Sequence, residues 1–184
     1  MRTVAHHTLP KAAKRGKKVV RPVAAKPAVT GQDKQKIVLF SLDQPRYALP
    51  VSDVVKVERA VEITPVPKAP PSVSGVIDFH GDIIPVLDLR KLLGLPPREI
   101  HLEDQFIITR TSQRLVVLVA DSVAGVYDHD ENDGRAAGGP FPFTEHLSGI
   151  AAMEHGIVLI TDLENLFSLD EQRVLDVALA GREQ

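Results

Sequence analysis

The chain has 184 residues, of which 43% are apolar, and a formal net charge of −2. This length suits one sizeable core or two small barrels that share a seam, and it excludes several large domains. The sequence contains no cysteine, which excludes disulfides, thiolate metal sites and thiol nucleophiles. No apolar run approaches the roughly 18 residues of a membrane span, and the N-terminus lacks an apolar signal core, so we predict a cytoplasmic protein.

The basic charge is concentrated at the N-terminus. The first 36 residues hold ten basic residues and one acidic residue, a net +9, whereas the rest holds 12 basic and 23 acidic residues, a net −11. Prolines at positions 10, 22 and 27 interrupt any helix in this segment. We predict a disordered basic tail over residues 1–35 that acts as a tether. An alternative is that the tail docks the protein on nucleic acid or an anionic membrane surface, although it has no aromatic residue to stack on bases.

From Ile37 onward, short β-rich runs alternate with turn residues, a pattern typical of barrels or a sandwich. The C-terminal segment instead predicts a helix, because Ser168 and Glu171 form a capping box and Gly181 provides a stop. The expected domains are the tail, an all-β body over residues 36–180 and a C-terminal end at 181–184. The predicted strands are 37–42, 47–51, 75–79, 82–87, 105–111, 115–120, 149–153 and 156–161.

A weak internal repeat relates the two halves of this body, at an offset of 74 residues in one block and 68 in another. The aligned pairs include Gly75 with Gly149, Asp88 with Asp162, and Asp53 with Asp121. Because the aspartates recur at the same places in both halves, we interpret them as caps of turns or short helices and not as catalytic acids. The duplication predicts two small barrels with a groove between them, lined by valine and glycine, that suits an apolar helix.

No sequence motif predicts a cofactor or a reaction. The segment 128–134 resembles a calcium loop, but its glycine falls one place late and Gly139 stands where the closing glutamate belongs. We interpret it as a solvated acidic loop. The histidines lack zinc-site spacing, and no P-loop, dinucleotide-binding turn or nucleophile elbow is present. We therefore predict no metal, no cofactor and no enzymatic activity.

Five motifs, in order and spacing over about residues 36–170, resemble the CheW family of chemotaxis coupling proteins. They are Tyr47-Ala-Leu-Pro-Val, Thr64-Pro-Val-Pro, Pro70-Pro-Ser-Val-Ser-Gly-Val-Ile-Asp-Phe-His-Gly, Ile84-Pro-Val-Leu-Asp-Leu and Leu147-Ser-Gly-Ile. The resemblance implies an all-β fold with two small SH3-like five-stranded β-barrels in one CheW-like domain, short helices between strands and a C-terminal helix.

The resemblance also implies a role and its contact residues. Such a protein is a scaffold that couples the regulatory domain of a CheA-type histidine kinase to the cytoplasmic tip of a chemoreceptor (a methyl-accepting protein), and it is recruited to receptor arrays. The implied kinase contacts are Val51, Val54, Lys56 and Val57. The implied receptor contacts are Gly75, His80, Val117, Val123, Val126 and Gly149. For the valines, the alternative is barrel core, and for the glycines it is a tight backbone position.

Two positions depart from the pattern of that family. Lys56 stands where the family usually has an acidic residue, and His80 stands where it usually has an arginine that can pair with that acid. A lysine and a histidine cannot form the same ion pair, and a histidine is only partly charged near neutral pH. We therefore expect a divergent set of partners, and the sequence leaves open whether the output is flagellar motility, pilus motility or another response.

Overall fold

The computed structural model describes residues 34–130, 134–136, 146–153, 156–166 and 169–180. The predicted basic tail up to residue 33, residues 131–133 of the predicted acidic loop, Ser168 and Gly181 lie outside these ranges. The described elements are the strands β1 (Lys34–Ser41), β2 (Arg46–Pro50), β3 (Val54–Arg59), β4 (Val73–Phe79), β5 (Asp82–Leu87), β6 (Gln105–Arg110), β7 (Leu115–Ala120), β8 (Ser122–Asp130), β9 (Gly134–Ala136), β10 (Leu147–Met153) and β11 (Gly156–Thr161), the helices α1 (Leu89–Leu92) and α2 (Leu169–Ala180), and a 3₁₀ turn at Val51–Asp53.

The strands form two sheets related by the duplication. The first sheet has the order β8-β1-β2-β11-β10-β9, and the second has the order β3-β6-β7-β5-β4. In the repeat, β1 to β5 correspond to β6, β7, β8, β10 and β11. Replacing each strand of the second sheet by its repeat partner therefore reproduces the first sheet, to which β9 is added. This arrangement confirms the predicted all-β fold with two repeated subdomains.

The two halves of the chain exchange their first hairpins. The first sheet takes β1 and β2 from the first half and β8, β10 and β11 from the second half, whereas the second sheet has the reverse composition. Each exchanged hairpin pairs with its sheet on both sides. One side is a short parallel pairing, β2 with β11 and β5 with β7, and the other is a longer antiparallel pairing, β1 with β8 and β6 with β3. Each complete sheet therefore needs strands from both halves of the chain.

Local irregularities repeat together with the strands. The pairing of β4 with β5 skips Ser74, and that of β10 with β11 skips Ser148, which is the repeat partner of Ser74. The outer edge of β4 is covered by a bridge between Thr64 and Val76, and that of β10 is covered by β9. The outer edges of β3 and β8 carry no strand among the residues that the structure describes.

The main hydrophobic core combines side chains from both sheets. Phe40 and Leu49 of the first sheet share a cluster with Leu87 and Leu118 of the second, and Leu175 of α2 joins it. Each sheet also has a smaller cluster of its own. Burying one such large apolar side chain contributes about 1.5–3 kcal/mol. The exchanged hairpins are therefore held by packing of one sheet on the other as well as by strand pairing.

Two of the four repeated aspartates are caps, as predicted. Asp88 precedes α1 and accepts hydrogen bonds from the backbone N–H groups of Arg90 (3.0 Å) and Lys91 (3.4 Å). Asp162 accepts the corresponding bonds from Glu164 (3.0 Å) and Asn165 (3.3 Å). The pattern follows from a carboxylate placed just before a helical turn, where backbone N–H groups have no other partner.

The other two aspartates are not caps. Asp53 ends the 3₁₀ turn, and its described side-chain hydrogen bond comes from the Ser52 hydroxyl at 2.9 Å. Asp121 lies between β7 and β8 and binds two arginines. The cap interpretation was wrong here, because the sequence gives no sign that Asp121 faces cations contributed by a distant segment.

The predicted strands match the observed ones to within a few residues, but three strands were missed. These are β3, β8 and β9, of which β3 and β8 are repeat partners. Both consist largely of half-buried and exposed positions and begin directly after an aspartate. Their weaker apolar content led to an interpretation as turns, although β-branched residues favour strands at an edge as well as in a core.

Candidate docking surfaces

The outer edge of β3 provides the first candidate surface. Val51 lies on the 3₁₀ turn before the strand, and Val54, Lys56 and Val57 lie on the strand itself. The three valines are half-buried, and Lys56 is exposed. These four residues, the predicted kinase contacts, are named here the β3 surface, and the structure places them on one short segment of the chain.

Val55 was not predicted as part of this surface, yet it is the most prominent apolar residue on it. The register between β3 and β6 shifts between Val54 and Lys56, so Val55 is a bulge residue. Its side chain is 46% exposed. Bulges turn a side chain away from the regular alternation. Period-2 patterning of the sequence cannot detect such a shift, because it depends on the partner strand.

The charges at the two divergent positions are separate from one another. Lys56 forms an ion pair with Glu58 of its own strand. His80 is exposed at the tip of the β4–β5 hairpin, has a positive φ of 55°, and packs edge-on against Phe79 with ring centroids 4.5 Å apart. The two residues lie on opposite edge strands of the second sheet or beside them. Lys56 is thus paired within β3, and His80 is available at a hairpin tip.

Gly75 and Val117 of the predicted receptor contacts are buried. Gly75 and Val117 both pair with Val86, one on each side of it. Val117 is completely buried in the smaller core of the second sheet. A partner therefore has no access to the Val117 side chain in this structure, and the core alternative describes its position.

Gly75 is required by close backbone packing. Its φ is +151°, and a Cβ atom at this position would lie 2.6 Å from Cγ2 of Ile63 and closer still to the carbonyl oxygen of Thr64. Thr64 and Val76 exchange two backbone hydrogen bonds of 2.9 Å across this contact. The tight-backbone alternative therefore describes Gly75, and a docking role for it remains a prediction.

The remaining predicted receptor contacts lie on the first sheet. Val123 and Val126 lie on β8, where Val123 packs against the main core and Val126 is 57% exposed. Gly149 is buried on β10, and three other strands lie between β10 and β8 in the sheet. The six predicted residues thus belong to both sheets, and His80 and Val126 are the exposed ones.

Two clefts are formed by described residues, and neither Gly75 nor Gly149 lines either of them. A cleft of about 530 Å³ is lined by Val76, Ile77 and Asp78 of β4, with Ile83 and the end of α2. A second cleft, of about 380 Å³, lies along β1 and β8 and includes Asp43 and Tyr127. The predicted groove of valine and glycine between the two subdomains remains a prediction.

Charged side chains that the sequence did not single out form a network where the two sheets meet. The Arg90 side chain is 7% exposed, and its guanidinium binds Asp43 at 2.6 Å and Asp121 at 2.7 Å. Arg98 binds the other oxygen of Asp121 at 2.6 Å and Asp104 at 2.7 Å. An arginine two residues after a capping aspartate and within a helical turn gives no signal of its own, since its partners are distant in sequence.

The network shifts the pKa values of its carboxyl groups. The Arg90 guanidinium, by donating a hydrogen bond, holds the pKa of Asp43 below its ordinary value of 3.8. Burial raises the pKa of Asp121, but the N–H of Asp43 and the guanidinium groups of Arg90 and Arg98 outweigh it, so the net shift is downward. The same carboxylates raise the pKa of Arg90, which stays protonated.

These shifts predict loss of stability in acid. A carboxyl group with a lowered folded pKa stabilises the protein above its unfolded pKa, and this contribution disappears as the pH falls through the folded pKa. We expect the free energy of unfolding, from urea denaturation, to decrease as the pH is lowered from about 6 to about 2. The variant Asp121→Asn should show a shallower decrease, and an equal slope in both proteins would contradict the assignment.

The described residues contain no group of three or more histidine, aspartate or glutamate side chains that could hold a metal ion. Likewise, none of the described helices is long and apolar enough to cross a membrane. The described surface does carry edge strands, exposed valines and a hairpin tip. Such features are typical of one class of protein, a β-rich adaptor that binds other proteins.

Comparisons with known proteins agree with this class and make it specific. The family model of the CheW-like domain matches residues 36–171. The chain is 29% identical to the chemotaxis protein CheW of Thermotoga maritima over 71% of its own length and 86% of that protein. It is 25% identical to the CheW of Klebsiella aerogenes over 77% of its length and 87% of that protein. The crystal structure of the scaffolding protein TtCheW from Thermoanaerobacter tengcongensis matches with a TM-score of 0.70 and 32% identity, covering 75% of this chain and 95% of that one.

The chain belongs to the CheW-like domain family, and its role is that of a chemotaxis coupling scaffold. This confirms the resemblance deduced from the five motifs. The family is one of scaffolds and not of catalysts, which supports the prediction that the chain is not an enzyme. The matched region begins at residue 36, so the basic tail lies outside it, and the comparisons give no support to a nucleic-acid or membrane role.

Proposed function

We propose that this chain couples a CheA-type histidine kinase to the cytoplasmic tip of a chemoreceptor in the cytoplasm, with the β3 surface facing the regulatory domain of the kinase. The observation that carries the proposal is the outer edge of β3, which carries no strand among the described residues and presents apolar side chains. Edge strands of this kind bind partners by adding a strand or by packing against them. Val55 extends the predicted set of Val51, Val54, Lys56 and Val57.

The receptor side of the proposal relies on the exposed members of the predicted set. Val126 on β8 and His80 at the β4–β5 tip can contact a helical hairpin directly. Gly75, Val117, Val123 and Gly149 are buried or half-buried and would support the contact through the shape of the two sheets. An apolar stripe of a receptor helix matches exposed valine better than it matches charged residues.

The test is to measure binding of the full chain to a kinase regulatory domain and to a receptor-tip fragment from the same organism. Val55→Glu is expected to weaken kinase binding about tenfold or more, because it places a charge in an apolar contact. The same variant should leave receptor binding unchanged. Val126→Glu should weaken receptor binding and leave kinase binding unchanged.

A matched control is Ile157→Glu, which puts the same charge on an apolar side chain of β11 that is 67% exposed. It should leave binding of the kinase unchanged. Absence of binding between the parent chain and either partner would contradict the proposal, as would a Val55→Glu variant that binds the kinase as tightly as the parent.

A further inference from the structure

The chain passes between the two sheets at two places that the duplication relates. The first passage is the 3₁₀ turn Val51–Asp53, between β2 of the first sheet and β3 of the second. The second is Asp121, the single residue between β7 of the second sheet and β8 of the first. Because Asp53 and Asp121 are repeat partners, these passages are the same point in the two halves.

The second passage is fixed by charge. Asp121 accepts hydrogen bonds from Arg90 (2.7 Å), from Arg98 (2.6 Å) and from the backbone N–H of Asp43 (2.7 Å). Arg90 follows β5 of the second sheet, whereas Asp43 is in the β1–β2 turn of the first sheet. The Arg90 side chain therefore fastens one sheet to the exchanged hairpin of the other, and it does so at the point of passage.

A contact of the same kind occurs at the repeat partner of Arg90. Glu164, two residues after the capping Asp162, accepts hydrogen bonds from the backbone N–H (2.6 Å) and the hydroxyl (2.7 Å) of Ser112. Ser112 lies in the β6–β7 turn, the exchanged hairpin of the second sheet. Each capped turn thus holds the tip of the hairpin that belongs to the opposite sheet. One of these contacts is built from ion pairs around the buried Arg90 side chain, and the other is exposed and has no cation among its described partners.

The first passage differs from the second. Among the described residues, the Asp53 side chain accepts a hydrogen bond from the hydroxyl of its neighbour Ser52. The β3 surface begins at this passage, and β8, which carries Val123 and Val126, begins at the passage held by Arg90. The angle between the sheets therefore sets the geometry between the β3 surface and the part of the receptor surface that lies on β8.

We propose that Arg90, bound to Asp43 and Asp121, is a positioning residue that fixes the mutual orientation of the two sheets, and thereby of the surfaces for the kinase and the receptor. The consequence for the two surfaces rests on the proposed function, whereas the orientation itself does not. Besides the shared core, two repeat-related polar contacts fasten a turn of one sheet to a hairpin tip of the other, and loss of the Arg90 contact leaves only the exposed Glu164–Ser112 contact. The sheets then gain freedom to rotate while the shared core keeps them folded together.

The orientation can be measured directly because the chain has no cysteine. Val55→Cys on the second sheet and Ile157→Cys on the first provide two exposed sites for spin labels. Pulsed electron resonance on the full chain should give one narrow distance distribution. Asp121→Asn, which removes the carboxylate shared by both arginines, is expected to shift or broaden that distribution.

Two further variants keep the test decisive. Asp53→Asn is the matched control, since it changes the repeat partner of Asp121 and should leave the distribution as in the parent. Asp43→Asn serves if Asp121→Asn fails to fold, because asparagine tolerates the positive φ of 58° at this position and Arg90 keeps Asp121. A distribution unchanged in folded Asp121→Asn and Asp43→Asn proteins would overturn the proposal, even if both unfold more easily.

A binding measurement separates this proposal from the proposed function. Asp43→Asn should bind an isolated kinase regulatory domain or receptor-tip fragment as the parent does, but form less of the complex that contains both. An undiminished ternary complex would overturn the link between orientation and coupling. If the parent binds neither partner, the proposed function fails, and the spin-label distances still decide whether Arg90 sets the orientation.

Discussion

Removing both counter-charges of Arg90, by Asp43→Asn together with Asp121→Asn, is expected to lower the free energy of unfolding by clearly more than the loss of an exposed ion pair does. Arg90 is 7% exposed and cannot lose its proton at neutral pH, so the variant leaves a buried cation without an acidic partner. Leaving one member of a buried ion pair unpaired is far more destabilising than removing the whole pair. Urea denaturation near neutral pH measures the change.

A third substitution tests this explanation. Adding Arg90→Met to the double variant removes the unpaired charge while keeping a long apolar side chain, and it should recover part of the lost stability. The control is Glu58→Gln, which disrupts the exposed ion pair with Lys56 and should change the free energy of unfolding by less than about 1 kcal/mol. A triple variant no more stable than the double variant would show that the buried charge is not the cause.

Replacing Gly75 with alanine is expected to lower the free energy of unfolding by about 2–5 kcal/mol. The added Cβ would meet the carbonyl oxygen of Thr64 and Cγ2 of Ile63, and the φ of +151° is unfavourable for any residue with a side chain. The neighbouring backbone must therefore move, which breaks the bridge that covers the outer edge of β4.

Gly94→Ala provides the comparison for this substitution. Gly94 also has a positive φ, of 65°, but no atom lies within 4 Å of the position of its Cβ. Its replacement should therefore cost only the backbone strain, about 1–2 kcal/mol. If Gly75→Ala is no more destabilising than Gly94→Ala and instead weakens receptor binding alone, Gly75 is a docking residue and not a packing one.

Much of the fold was predictable because it depends on local patterns. The strands with continuous apolar runs were found, since residues such as Phe106 and Leu118 are buried wherever their sheet packs. The edge strands β3 and β8 were missed because half of each faces solvent. The bulge at Val55 was missed for a related reason, since a register shift belongs to a pair of strands and not to one segment.

The candidate surfaces were predictable only in part. The resemblance grouped Val51, Val54, Lys56 and Val57 as kinase contacts, and the structure places them on the 3₁₀ turn and on β3, whose outer edge carries no strand among the described residues. The resemblance could not separate exposed residues such as Val126 from buried ones such as Val117, because both are valines in strands. Burial depends on which face of the sheet packs, and this is settled by the partner elements.

The sequence by itself determined the family, the all-β class, the duplication and the caps at Asp88 and Asp162. These features depend on residue type and spacing within short segments. Tertiary structure alone decided that the halves exchange hairpins, that Asp121 binds Arg90 and Arg98, and that Gly75 lies against Thr64. Each of these contacts joins groups distant along the chain, so its energy depends on the distance between them in space, which no local pattern encodes.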